Sequence, residues 1–218
     1  MHNFEAVIFD MDGLLLDSEK ISFDTFKEAL KIFHLEKESS LFYTMIGKDA
    51  ISCKNILKKG LSDKVDHDEF GKIWSDLYKK ETTLKPIPVK NGAISLLNHL
   101  KDINVITAVA TSTDTNMAKE KLENAGLLEY FTVIVGGDQI KRGKPNPEIY
   151  LYVADKLSVN PKNCLALEDS ENGVKSAVAT GMTVIQIPDI VQPSEELKQL
   201  GHIILSSLED TLIYNFSK

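Results

Sequence analysis

An α/β fold, with a parallel sheet carrying helices on both faces and an α-helical cap domain inserted into it, is what this sequence predicts. Three observations carry that expectation. Five short apolar runs rich in Val and Ile are bounded by turn residues, as strands buried on both faces are. Helical patterns lie between most of them, and strand and helix in alternation call for right-handed crossovers. From about Asp17 to Leu84 the alternation stops, and amphipathic helices follow one another with no intervening strand.

The elements follow in order. "AVIF" (6–9) is the first strand. "DTFKEALKIFHL", "AISCKNILKK" and "HDEFGKIWSDLYKKE" are the helices of the insert, with hinges near Leu16 to Glu19 and Thr83 to Pro88. The expected division is a core of 1–16 and 84–218 and a cap of 17–83. After the insert come the strand "VITAVAT", the helix "NMAKEKLENAGL" stopped by Gly126, and the strand "FTVIVG". Next is the helix "NPEIYLYVADKL", with Pro147 where a first turn tolerates it. "CLALE" and "TVIQI" complete the strands. There is no internal repeat and no low-complexity segment.

Composition narrows the classes. With 218 residues, 43% hydrophobic and 26% charged, the chain is expected to form one or two soluble globular domains. A net charge of -7 argues against nucleic acid as a partner, which needs a basic stripe to displace counterions. It leaves room for a small anion at one locally positive site. Cys53 and Cys164 have no metal-ligand spacing and read as reduced thiols. "MHNFEAVIF" has no leader pattern, and no apolar segment approaches the roughly 20 residues of a membrane span. The expectation is a cytoplasmic monomer with no membrane partner.

Ligands in an open parallel sheet bind beyond the carboxyl ends of the strands. Four such ends carry polar groups: Asp10 and Asp12; Thr111 and Ser112; Lys144 in the loop "GGDQIKRGKPNP"; and Glu168 with Asp169 in "ALEDSENG". Brought together, the acids would repel by roughly 3 kcal/mol per pair at about 5 Å and an effective dielectric near 20. A divalent cation removes that cost, and oxygen-only ligands favour Mg²⁺, which pairs with one or two carboxylates and a substrate phosphate. Lys144 would be a point charge for a carboxylate and a phosphoryl oxygen. That inventory describes phosphoryl transfer, in which positioning and charge stabilisation do most of the catalysis.

In this order, "FDMDG", "ATS", "GKPNP" and "LEDSENG" resemble the motifs of the haloacid dehalogenase-like hydrolases. More narrowly, "GGDQIKRGKPNPEIYL" and "EDSENGVKSAVATGM" resemble the β-phosphoglucomutase-like branch with a small helical cap. The resemblance implies a Rossmann-like core and an aspartyl-phosphate mechanism. Asp10 is then the nucleophile, and Asp12 the general acid/base with its backbone carbonyl on the metal. Thr111 and the Ser112 amide hold the phosphoryl group, Lys144 pairs with Asp10 and phosphate, and Glu168 with Asp169 completes the Mg²⁺ site. Residues two apart on a strand face the same way, which suits the Asp10 and Asp12 pairing.

Plainer readings stand beside these. Asp-x-Asp-Gly alone could be a turn, Glu168 and Asp169 could cap the next helix, Lys144 could be a solvated loop lysine, and Thr111 and Ser112 mere strand-end hydroxyls. Trp74 is either packing or a wall over substrate, and the five histidines read as surface residues. Three functions follow: a Mg²⁺-dependent phosphatase of a small phosphorylated metabolite, a phosphosugar mutase, or a non-catalytic phosphate-binding relative. The resemblance places His and Arg in the cap of a mutase, where this chain has Ser22 and, near "MIGKDA", Lys48. That departure favours the phosphatase.

Overall fold

The structure is a computed structural model that describes residues 4–46 and 50–213. The chain divides into two compact units, Met1–Asp17 with Ile87–Lys218, and Ser18–Pro86. Lys48, singled out above, lies outside the described residues.

Among its described residues the smaller unit has helices and no strand, the α-helices being α1 (Ser18–Ile32), α2 (Leu41–Met45), α3 (Ala50–Leu61) and α4 (His67–Leu84). Its interior gathers Phe26 and Leu30 from α1, Phe42 and Met45 from α2, Leu57 and Leu61 from α3, and Phe70 from α4. The Phe26 ring meets Phe70 edge-on at 5.7 Å and Trp74 at 4.9 Å. Such aromatic pairs contribute about 0.5–1.5 kcal/mol each beyond area burial. The Trp74 indole also donates to the Ser22 carbonyl at 3.2 Å, so Trp74 packs this unit. At the start of α4, Asp66 Oδ1 accepts from the amides of Asp68 and Glu69, both at 2.9 Å, and relieves two unpaired donors.

The larger unit is built on six strands: β1 (Ala6–Phe9), β2 (Ile106–Ala110), β3 (Val133–Val135), β4 (Cys164–Glu168), β5 (Thr183–Gln186) and β6 (Ile203–Ile204). They lie in the order β3-β2-β1-β4-β5-β6, and every pairing is parallel. All five runs picked out in the sequence are strands. The sixth escaped notice because two residues, one of them (Ile204) exposed, give no periodic signal. The helices between them are α5 (Ala93–Asp102), α6 (Thr115–Asn124), α7 (Glu148–Leu157), α8 (Glu171–Val178) and α9 (Glu195–Lys198). Pro147 precedes α7 as its N-cap, one place earlier than the sequence suggested.

Ala6 and Ile8 of β1 pack in one cluster with Ile149 and Val153 of α7 and Val174 and Ala177 of α8. Val7 and Phe9, which alternate with them, are equally buried, so the sheet is covered on both faces. The segments that lead to and from the helical unit run side by side: the Asp17 amide donates to the Pro88 carbonyl at 2.8 Å and the Lys90 amide to the Leu15 carbonyl at 2.9 Å. Both cysteines are free thiols, and burial pushes Cys164 up to about 11. Among the described residues no helix is long and apolar enough to cross a membrane.

Candidate active site

The strand order places β1 between β2 and β4, so the chain runs outward on one side of β1 and later returns on the other. A crevice beyond the carboxyl ends results at such a reversal. Registers Phe9↔Val109 and Phe9↔Leu167 bring the ends of the three strands level. Asp10 follows β1, Thr111 follows β2 and Glu168 closes β4.

Lys144 reaches this point from the loop ahead of α7. Its ammonium donates to Asp10 Oδ1 at 2.5 Å, to Glu168 Oε1 at 2.6 Å and to the Ala110 carbonyl at 2.9 Å. Lys144 is 7% exposed, which removes the solvated-loop reading. Burial alone would lower its pKa, but Asp10 and Glu168 more than reverse this and hold it above the ordinary lysine range. The Asp10 carboxyl is held up at about 8: burial raises it most, Lys144 pulls it back down, and Glu168 and Asp12 add to the rise. One buried cation does not balance the local acids.

Glu168 is fully buried and fully engaged. Oε1 accepts from Lys144 and from the Tyr150 hydroxyl at 2.6 Å. Oε2 accepts from the Asp169 amide at 3.2 Å, the Ser170 amide at 3.3 Å and the Ser170 hydroxyl at 3.2 Å. Ser170 also accepts from the Gly173 amide at 3.1 Å and is the N-cap of α8. The capping role considered for Glu168 and Asp169 therefore belongs to Ser170.

Asp10, Glu168 and Asp169 can each bring one carboxylate oxygen within 4.8 Å of the others. Nearby, Asp189 Oδ2 is buried without a partner, although its Oδ1 accepts from Lys90 at 2.5 Å. A Cβ added to Gly13 would stand 2.5 Å from Asp169 Oδ2 and 3.5 Å from Asp189 Oδ2. A buried carboxylate oxygen without a partner beside a carboxylate cluster calls for positive charge. An all-oxygen donor set fits a hard divalent ion. The φ of +88° at Gly13 and the lack of room for a Cβ both require glycine there.

The Asp12 carboxylate turns elsewhere. Oδ2 accepts from the Thr113 hydroxyl at 2.7 Å and Oδ1 from the Lys121 ammonium at 2.9 Å, so the side chain is not among the three clustered acids. Thr111 is buried at the end of β2, and its hydroxyl accepts from the Thr113 amide at 3.1 Å. Ser112 is exposed beside it, one residue further along the same loop.

Sequence reasoning missed several of these partners. Tyr150 read as one more apolar helix position, and nothing in the sequence aims its hydroxyl at Glu168. Lys121 did leave a signal: it lies at helical spacing between Ala118 and Leu122 and is buried with them. His202, taken as a surface residue, is half-buried and meets Gln186 Oε1 at 2.8 Å. Gln186 in turn donates to the Asp169 carbonyl at 3.0 Å.

The chain is similar to known proteins over nearly its whole length. The family described as haloacid dehalogenase-like hydrolase matches residues 7–187. The phosphorylated carbohydrates phosphatase of Thermotoga maritima is 32% identical over 95% of this chain and 96% of its own. The hexitol phosphatase A of Escherichia coli is 32% identical over 96% and 94%. The β-phosphoglucomutase of Clostridium difficile, at 22% identity, shares the fold with a TM-score of 0.76 over 95% of this chain and 92% of its own. The chain belongs to the haloacid dehalogenase-like hydrolase family.

Proposed function

We propose that the protein hydrolyses a small phosphorylated metabolite, a sugar phosphate or similar phosphomonoester, with Mg²⁺ and through an aspartyl-phosphate on Asp10. The observation that carries this reading is the setting of Asp10: a buried carboxylate at the sheet's reversal point, 2.5 Å from an ammonium and clustered with two further acids. The relatives named for phosphorylated carbohydrates and hexitols support the substrate class.

In the first step an Asp10 oxygen attacks phosphorus while Asp12 gives a proton to the leaving oxygen. In the second, Asp12 takes a proton from the water that releases phosphate, as a positioned acid/base does. Lys144 holds Asp10 and a phosphoryl oxygen, and Thr111 and the Ser112 amide receive the others. Mg²⁺, when bound, supplies positive charge against the phosphoryl group. Asp10, Asp169 and the Asp12 carbonyl would hold it directly, since Glu168 already accepts five hydrogen bonds. The helical unit corresponds to the cap domain expected from the sequence.

Hydrolysis is favoured over mutase chemistry by Ser22. A bisphosphate intermediate must be gripped while it reorients, and a Ser22 position lacks the imidazole that the mutase pattern carries there. Phosphate release from a panel of sugar phosphates, polyol phosphates and nucleotides, with Mg²⁺ and with chelator, tests the reading. With β-glucose 1-phosphate and a glucose bisphosphate activator, phosphate release or no reaction is expected. Accumulation of glucose 6-phosphate without matching phosphate would overturn it.

A further inference from the structure

Lys121 is buried on the inward side of α6 with Ala118 and Leu122, and it is 3% exposed. Removing an ammonium from water costs several kcal/mol unless a partner compensates. The compensation lies on Asp12, whose Oδ1 accepts from Lys121 Nζ at 2.9 Å. The other oxygen, Oδ2, accepts from the Thr113 hydroxyl at 2.7 Å. The two donors come from different places, one from the body of α6 and one from the loop that precedes it. Donors on both oxygens leave the carboxylate one orientation, where an aspartate otherwise samples several rotamers and a broad second torsion.

We propose that Lys121, assisted by Thr113, is the positioning residue for Asp12: it touches no substrate, but it fixes which oxygen of Asp12 handles the proton. This rests on the reading of Asp12 as general acid/base. An ammonium can only donate, whereas a hydroxyl can donate or accept. Lys121 therefore keeps Oδ1 as an acceptor throughout, and the proton is carried on Oδ2, whose remaining lone pair can still accept from the Thr113 hydroxyl. In the first step the Oδ2 proton passes to the leaving oxygen as its bond to phosphorus breaks and the Asp10–phosphorus bond forms. In the second, Oδ2 takes a proton from water as the water oxygen bonds to phosphorus and the Asp10–phosphorus bond breaks.

The test is a double-mutant cycle on the Mg²⁺-loaded full chain. Lys121→Met, with folding checked by thermal unfolding, should lower kcat by about 10- to 100-fold on an alkyl phosphate, the scale of a misoriented catalytic group, with KM changed less than about threefold. The loss should be smaller on an aryl phosphate, whose leaving group needs little protonation. In the Asp12→Asn background the same substitution should cost less than about threefold. An equal loss in both backgrounds would mean a merely structural role and would overturn the proposal, as would an unchanged kcat in Lys121→Met. If Lys121→Met does not fold, Lys121→Gln and Thr113→Val carry the same cycle. Near wild-type turnover by Asp12→Asn alone would instead remove the acid/base assignment, and the positioning role with it.

Discussion

The Glu168 carboxylate fills the space that a side chain on Gly173 would occupy: a Cβ built there would stand 1.9 Å from Glu168 Oε1 and 2.1 Å from Oε2. The glycine in "LEDSENG" is thus a hollow for the buried acid that anchors Lys144. Gly173→Ala should displace Glu168. Overpacking of this kind typically costs about 1–3 kcal/mol. A lowered unfolding temperature and a loss of at least about tenfold in kcat are expected, and thermal unfolding with steady-state kinetics checks both.

Lys144 separates two acids that cannot share a site without it. Lys144→Met removes the ammonium that donates to both Asp10 and Glu168 and leaves Glu168 buried without that partner. Breaking a buried pair costs about 3–5 kcal/mol. The variant should be strongly destabilised and should not turn over. Tyr150→Phe should be milder, about 1–3 kcal/mol for one hydrogen bond removed from a buried carboxylate, with activity retained in part. Chemical denaturation of the two variants side by side tests this ranking.

The Asp10 carboxyl gives the metal-free protein a pH dependence with a definite sign. Its pKa is about 8 in the folded chain against an ordinary 3.8, raised chiefly by burial. The folded state therefore keeps a proton that the unfolded chain releases between those values. The stability this group contributes is full below the lower value and is lost as pH rises through the upper one. The unfolding temperature without metal should fall from pH 5 to pH 8, and Asp10→Asn should flatten that slope. Mg²⁺ must displace the proton, so its stabilising effect should be larger at pH 8 than at pH 5. Thermal scans with Mg²⁺ and with chelator at both pH values give the comparison.

The sheet and the acids were legible in the sequence for a physical reason. Strands buried on both faces must be apolar throughout, so charged residues at their ends, as at Asp10 and at Glu168 with Asp169, stand out sharply. The helical insert was legible because its runs keep a helical period over many residues. The support around the acids was not. A hydroxyl such as that of Tyr150 sits in a pattern that phenylalanine would satisfy equally well. Nothing in the order of residues marks Ser170 and Gly173 as partners of Glu168, and their service to it emerges only from where α8 begins relative to β4. Asp189 lies in a loop after β5 with no periodicity to mark it, yet Gly13 brings its buried oxygen beside Asp169. Lys121 is the intermediate case: a lysine on an apolar stripe is a visible inconsistency, but its partner Asp12 is remote in the chain.

Asp10 is proposed to carry the phosphoryl group. Rapid acid quench during turnover of an aryl phosphate with Mg²⁺, followed by mass spectrometry of the peptides, tests it most directly, because an amide at position 10 is isosteric but not nucleophilic. One phosphoryl group is expected on Asp10 in the wild type, a longer-lived signal at Asp10 in Asp12→Asn, and no phosphoenzyme and no turnover in Asp10→Asn. A phosphoryl group on any other residue, or near wild-type turnover by Asp10→Asn, would contradict it.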